Sequence, residues 1–131
     1  MLLVDAGCEY EMYAADITRT FPVSGKFSDE QLAIYKVVLD AMNAAIDMVK
    51  PGNHIMQPQE ISEKVITKGL VKLGLLDGDP EELHKSGAYK EFYMHKIGHW
   101  LGLDVHDAGD YVEGEEYMKF KPGMILSLIH I

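Results

Sequence analysis

Two amphipathic stretches, residues 29–49 and 58–73, lie between segments of strand character at both ends of the chain. In the first, Leu32, Tyr35, Leu39, Met42, Ile46 and Val49 recur every three or four residues and lay one apolar stripe along a helix. Ser28 stands at the N-cap, Gln31 follows at capping-box spacing, and Pro51-Gly52 stops the helix. In the second stretch Ile61, Val65, Gly69 and Leu73 share a face, and Gly74 closes it. Asp79-Pro80-Glu81-Glu82 starts a third, short helix, with Asp79 as cap and Pro80 at the first helical position. Residues 2–5 and 8–21 read as strands, the latter rich in Tyr, Ile, Thr and Phe and ended by Pro22 and the Ser24-Gly25-Lys26 turn. Residues 90–109 have the texture of loop or strand. An acidic connector follows, Glu113-Gly114-Glu115-Glu116, and then a strand over 124–128. No repeat, low-complexity run or domain boundary interrupts the 131 residues.

Composition narrows the function. Apolar residues make up 47% and charged residues 25%, so the chain is expected to fold rather than remain disordered. The net charge of −9, from 12 basic and 21 acidic side chains, argues against a nucleic-acid surface. Carboxylates gathered around a cation would account for part of that excess. No apolar run is long enough to span a bilayer. The opening Met1-Leu2-Leu3-Val4-Asp5 lacks the basic flank of a signal peptide and reads as a strand entered without lead-in. Cys8 is the only cysteine, which fits a reducing, cytoplasmic setting.

Asp5 and Asp16 both fall in the first strand region. A tight hairpin about Tyr10-Glu11 would set them directly opposite one another, with Cβ atoms ~5 Å apart on one face. On spacing alone two readings stand: an ordinary solvated pair, or two carboxylates that share a divalent cation. Farther on, His95, His99 and His106 lie within twelve residues, and Gly98 and Gly102 flank His99-Trp100. Imidazole is both a transition-metal ligand and a proton carrier near neutral pH. The stretch has neither the His-Glu-x-x-His pattern nor a cysteine pair, so the usual zinc spacings do not apply.

Two long motifs carry a resemblance. They are Asp16-Ile17-Thr18-Arg19-Thr20-Phe21-Pro22 and His99-Trp100-Leu101-Gly102-Leu103-Asp104-Val105-His106-Asp107. Leu3-Val4-Asp5-Ala6-Gly7 precedes them, Gly69 to Gly74 lies between them, and Pro122-Gly123-Met124 follows. In this order the segments resemble the pita-bread metallopeptidases of family M24, and within them the Xaa-Pro aminopeptidases. The resemblance implies an α+β fold: part of a pita-bread, a curved and mainly antiparallel sheet with two long helices on one face. It implies two divalent metal ions, manganese as a rule, with Asp5 on one metal, Asp16 bridging both and His99 as the histidine ligand. His95 and His106 match histidines that line the substrate site and assist the tetrahedral intermediate. The implied reaction removes an N-terminal residue ahead of proline, so the implied partners are peptides with an Xaa-Pro N-terminus, and the parent protein is expected to form homo-oligomers.

The chain departs from the pattern at its end. The family strand runs on to a Glu ligand at the position of Ile129, and a second Glu ligand belongs farther downstream. Residues 1–128 therefore read as part of a catalytic domain. Ile129, His130 and Ile131 read as a tail foreign to it, with the change reaching back as far as Ser127. On this reading the activity belongs to a longer parent, and the fragment itself is inactive. Two alternatives are a prolidase, which cleaves Xaa-Pro dipeptides, and a pita-bread protein that binds partners without metal. Retention of Asp5, Asp16 and His99 favours the enzyme.

Overall fold

A computed structural model describes residues 1–128. Ile129, where the family Glu was expected, and the tail through Ile131 lie outside the described residues.

The chain opens with a long hairpin. β1 (Leu2–Asp5) pairs antiparallel with β4 (Thr18–Phe21), and β2 (Glu9–Tyr10) pairs with β3 (Tyr13–Ala14) at its tip. Both ladders keep one register, which differs from the expected one. Asp5 faces Thr18, not Asp16. The turn is Glu11-Met12, both with positive φ (51° and 71°), as a twist-matched type I′ hairpin turn requires. The resulting slip is two residues. Because side chains alternate with period two, it leaves Asp5 and Asp16 on one face, one diagonal step apart. Between the ladders the strands touch closely. A Cβ on Gly7 would collide with the carbonyl of Ala15, so only glycine fits opposite Asp16.

Two helices follow, α1 (Asp29–Met48) and α2 (Gln57–Lys72), packed along one another. The expected capping box is present: the Ser28 hydroxyl accepts from the Gln31 N–H, and the Gln31 side chain accepts from the Ser28 N–H. Replacing Ser28 with Ala is expected to cost about 1 kcal/mol in denaturant unfolding, and Ser28→Thr much less. The buried faces differ from the apolar stripes of the sequence. Ala41 and Ala45 are the buried residues of α1; Pro58, Ser62, Ile66, Thr67 and Leu70 are those of α2. Ile46 and Leu73, assigned to the stripes, are exposed. The cause is close approach: a Cβ on Gly69 would overlap the Val37 side chain, so the helices meet through small residues. Ser62 and Thr67 are tolerated there because their hydroxyls donate to the carbonyls of Gln59 (2.8 Å) and Glu63 (2.7 Å).

The short α3 (Pro80–Ser86) begins as expected, with Asp79 accepting from the N–H groups of Glu81 and Glu82 and Gly87 ending it in the left-handed region. A 3₁₀ turn, Ala88–Glu91, brings Tyr89 under Ala41, Ile66 and Leu70 to complete one core cluster. The histidine stretch then becomes β5 (Gly98–Trp100), paired antiparallel with β8 (Leu126–Leu128). The acidic connector is a tight hairpin of β6 (Val112–Glu113) and β7 (Glu116–Tyr117), turned at Gly114. A second core cluster, Ile55, Trp100 and Phe120, locks the α1–α2 loop against this region. Hydrogen bonds from Ile55 N to Met118 O and from Phe120 N to Asn53 O reinforce it. The architecture is α+β. Among the described residues the strands form four two-stranded antiparallel ladders rather than one continuous sheet. No described helix is long and apolar enough to cross a membrane.

Candidate metal centre

The hairpin and β5 meet at Asp16. Across residues 15–17 the hairpin stays tied, the Ala15 N–H donating to Cys8 O and the Ala6 N–H to Ile17 O (both 3.0 Å), and the Ala14 N–H donates to Gly102 O (2.8 Å), which ties the hairpin to the end of the histidine strand. His99 Nε2 lies 3.0 Å from Asp16 Oδ2, across 83 positions of sequence. Their side chains are only 16% and 10% exposed. The other ring nitrogen, Nδ1, lies 2.8 Å from the Trp100 carbonyl. A carbonyl can only accept, so Nδ1 carries the proton and Nε2 turns its lone pair toward the carboxylate. Two electron-rich atoms at that distance need positive charge between them, supplied by a second proton on the ring or by a cation.

Ser127 is the site residue that the sequence does not reveal, since its pattern groups it with the foreign ending. It pairs with His99 in the β5–β8 ladder, is 5% exposed, and its hydroxyl donates to Asp16 Oδ2 at 2.6 Å. That bond holds the Asp16 carboxyl below the usual carboxylate range. Burial opposes it, while Asp5 and His99 add to the lowering. Asp5 is exposed and acts on the same carboxylate from its diagonal position. His106, also exposed, sets its ring edge-on to His99 at 4.3 Å between centroids. His95 stands apart from this group. Its ring meets Tyr93 edge-on, its Nδ1 bonds the Lys96 carbonyl, and it borders an open apolar groove of about 440 Å³ with Leu3, Met42 and Phe92.

Among the described residues no three His, Cys, Asp or Glu side chains are gathered tightly enough to hold an ion by themselves. What is assembled is a partial set: the Asp16–His99 pair, with Asp5 beside it. Its chemistry fits a divalent cation, because the carboxylate is kept ionised and the imidazole is fixed in the tautomer that leaves Nε2 unprotonated.

A hairpin aspartate thus meets a strand histidine, in a chain with two long helices packed along one another. The chain belongs to metallopeptidase family M24, which it matches over residues 1–129. It is 50% identical to the Xaa-Pro aminopeptidase of Haemophilus influenzae over 128 residues, or 98% of this chain and 30% of that protein. It is 45% identical to the Xaa-Pro aminopeptidase of Escherichia coli, again over 98% of this chain and 29% of that one. The structure of Pseudomonas aeruginosa aminopeptidase PepP superposes with a TM-score of 0.94 at 56% identity, covering 96% of this chain and 28% of that one. A zinc-substituted E. coli aminopeptidase P in complex with product gives a TM-score of 0.90 at 46% identity, covering 96% and 28%. The fold is therefore that of the pita-bread aminopeptidases, and the chain spans less than a third of the length of these relatives.

Proposed function

We propose that the protein to which this chain contributes removes the N-terminal residue from peptides with proline in second position. The observation that carries this reading is the Asp16–His99 contact, which places a carboxylate and an imidazole lone pair at one point in a chain whose curated relatives are Xaa-Pro aminopeptidases. Asp5, Asp16 and His99 would hold divalent ions, for which we propose manganese. When bound, such ions make hydroxide from water near neutral pH and polarise a carbonyl. The chain's own residues prepare the site. Ser127 keeps Asp16 ionised and oriented, and the Trp100 carbonyl fixes the His99 tautomer. We assign substrate-side roles to His106, whose ring lies edge-on to His99, and to His95, which stands apart with its Nδ1 bonded to the Lys96 carbonyl. The free, exposed Cys8 agrees with a reducing cytoplasm. Self-association rests on the family resemblance alone.

The test uses the full-length protein with Ala-Pro-Ala as substrate. Release of alanine is expected, lost on chelation and regained with Mn²⁺. Cleavage that persists after exhaustive chelation, or that is confined to Ala-Pro dipeptide, would overturn the proposal.

A further inference from the structure

The contact that makes the site depends on where β5 begins, and one side chain outside the site governs that. Gln59 sits in the first turn of α2, half-buried. Its Oε1 accepts from the N–H of Ile97 at 2.7 Å, across 38 positions of sequence. Its Nε2 donates to Glu63 Oε1 at 2.9 Å, and Glu63 Oε2 faces His84 Nε2 at 3.4 Å. The orientation of the carboxamide is unambiguous, because a backbone N–H can only donate and a carboxylate can only accept. Ile97 is 6% exposed and directly precedes the β5–β8 ladder, which starts at Gly98↔Leu128. Its N–H thus lies outside that ladder, and the Gln59 oxygen satisfies it. Laterally, β5 is already fixed: a Cβ on Gly98 would overlap the Ser127 carbonyl and the Leu128 side chain. What remains is sliding along the strand, where one residue of slip would turn His99 to the opposite face.

We propose that Gln59 is a positioning residue for His99: it ties α2 to the start of β5 and thereby fixes the imidazole against Asp16. Glu63 orients the amide, and His84 supports Glu63 from α3. The inference rests on the assignment of His99 as a metal ligand, and it reaches that ligand through backbone rather than through any contact with the ion.

The test exchanges the polarity of the Gln59–Glu63 pair in the full-length protein. Gln59→Glu still accepts from Ile97 but sets two carboxylates together. Gln59→Glu combined with Glu63→Gln restores a donor opposite an acceptor. Three quantities are read: Mn²⁺ affinity by calorimetry, the ring ¹⁵N signals of His99 in the metal-free protein, and Tm. Gln59→Glu is expected to weaken Mn²⁺ binding about 10- to 100-fold and to shift the His99 signals, and the double exchange to return both. If Gln59→Glu does not fold, Gln59→Met, which keeps the length and removes both hydrogen bonds, is expected to show the same losses. Wild-type affinity with unmoved His99 signals in the single variants would overturn the proposal, as would an exchange that restores Tm alone. Were the wild-type protein to bind no Mn²⁺ while His99 still responded to Gln59, the metal reading would fall and the positioning role would stand.

Discussion

Asp16→Asn in the full-length protein is expected to lower kcat/KM for Ala-Pro-Ala by about 10³-fold or more, equivalent to about 4 kcal/mol of transition-state stabilisation. The substitution separates charge from shape. Asn is isosteric with Asp, and its amide can donate to His99 Nε2 while the Ser127 hydroxyl turns from donor to acceptor, so the 3.0 Å contact survives as a neutral hydrogen bond without a cation. The fold should therefore persist, with denaturant stability within about 1 kcal/mol of wild type. What disappears is the charge that Ser127, Asp5 and His99 together keep on the carboxyl. Without it, His99 loses the anionic partner that it touches, and calorimetry should show weakened Mn²⁺ binding alongside the loss of turnover. Unchanged kcat/KM would remove Asp16 from the site. Loss of activity accompanied by a collapse in stability would show that the residue matters for folding instead.

The parts of this site that sequence disclosed, and those it hid, differ for physical reasons. Helix boundaries were legible because Ser28, Gln31, Asp79 and Pro80 act on neighbouring backbone groups, and local chemistry leaves a local signature. The partnership of Asp16 and His99 was legible only through the two long motifs, since nothing in the spacing of residues so far apart states that they meet. The hairpin register was misplaced because Glu11 and Met12 adopt positive φ without being residues that favour it. The helix interface differs from the apolar stripes in part because Ala41, Ala45, Ser62 and Thr67 are too small or too polar to register in an apolar count, yet small size, as at Gly69, is what lets α1 and α2 approach. Gln59 and Ser127 escaped for a related reason. Each is an ordinary polar residue whose importance lies in a partner tens of positions away.

Trp100→Ala is expected to cost about 3–5 kcal/mol of stability, the loss typical of deleting a buried aromatic. Trp100 is 8% exposed and forms the second core cluster with Ile55 and Phe120, against Met56, Tyr111 and Leu126. Its indole N–H donates to the Asp110 carbonyl at 3.1 Å, so Trp100→Phe should also destabilise, by about 1–2 kcal/mol, through the acceptor left behind. The consequence extends to the metal site because side chains alternate along β5: the indole that fills the core and the imidazole that meets Asp16 are consecutive residues on opposite faces. Trp100 is the weight that holds this face inward. With it removed, Gly98, His99 and the Trp100 backbone keep their ladder to β8 but lose the contact that resists rotation of the strand. Mn²⁺ affinity of the folded Trp100→Ala protein, measured where the variant is still native by denaturant titration, should therefore fall along with stability. A variant that loses the stability yet binds Mn²⁺ as wild type would show that the β5–β8 ladder and Gln59 suffice to aim His99, and that the indole serves the core alone.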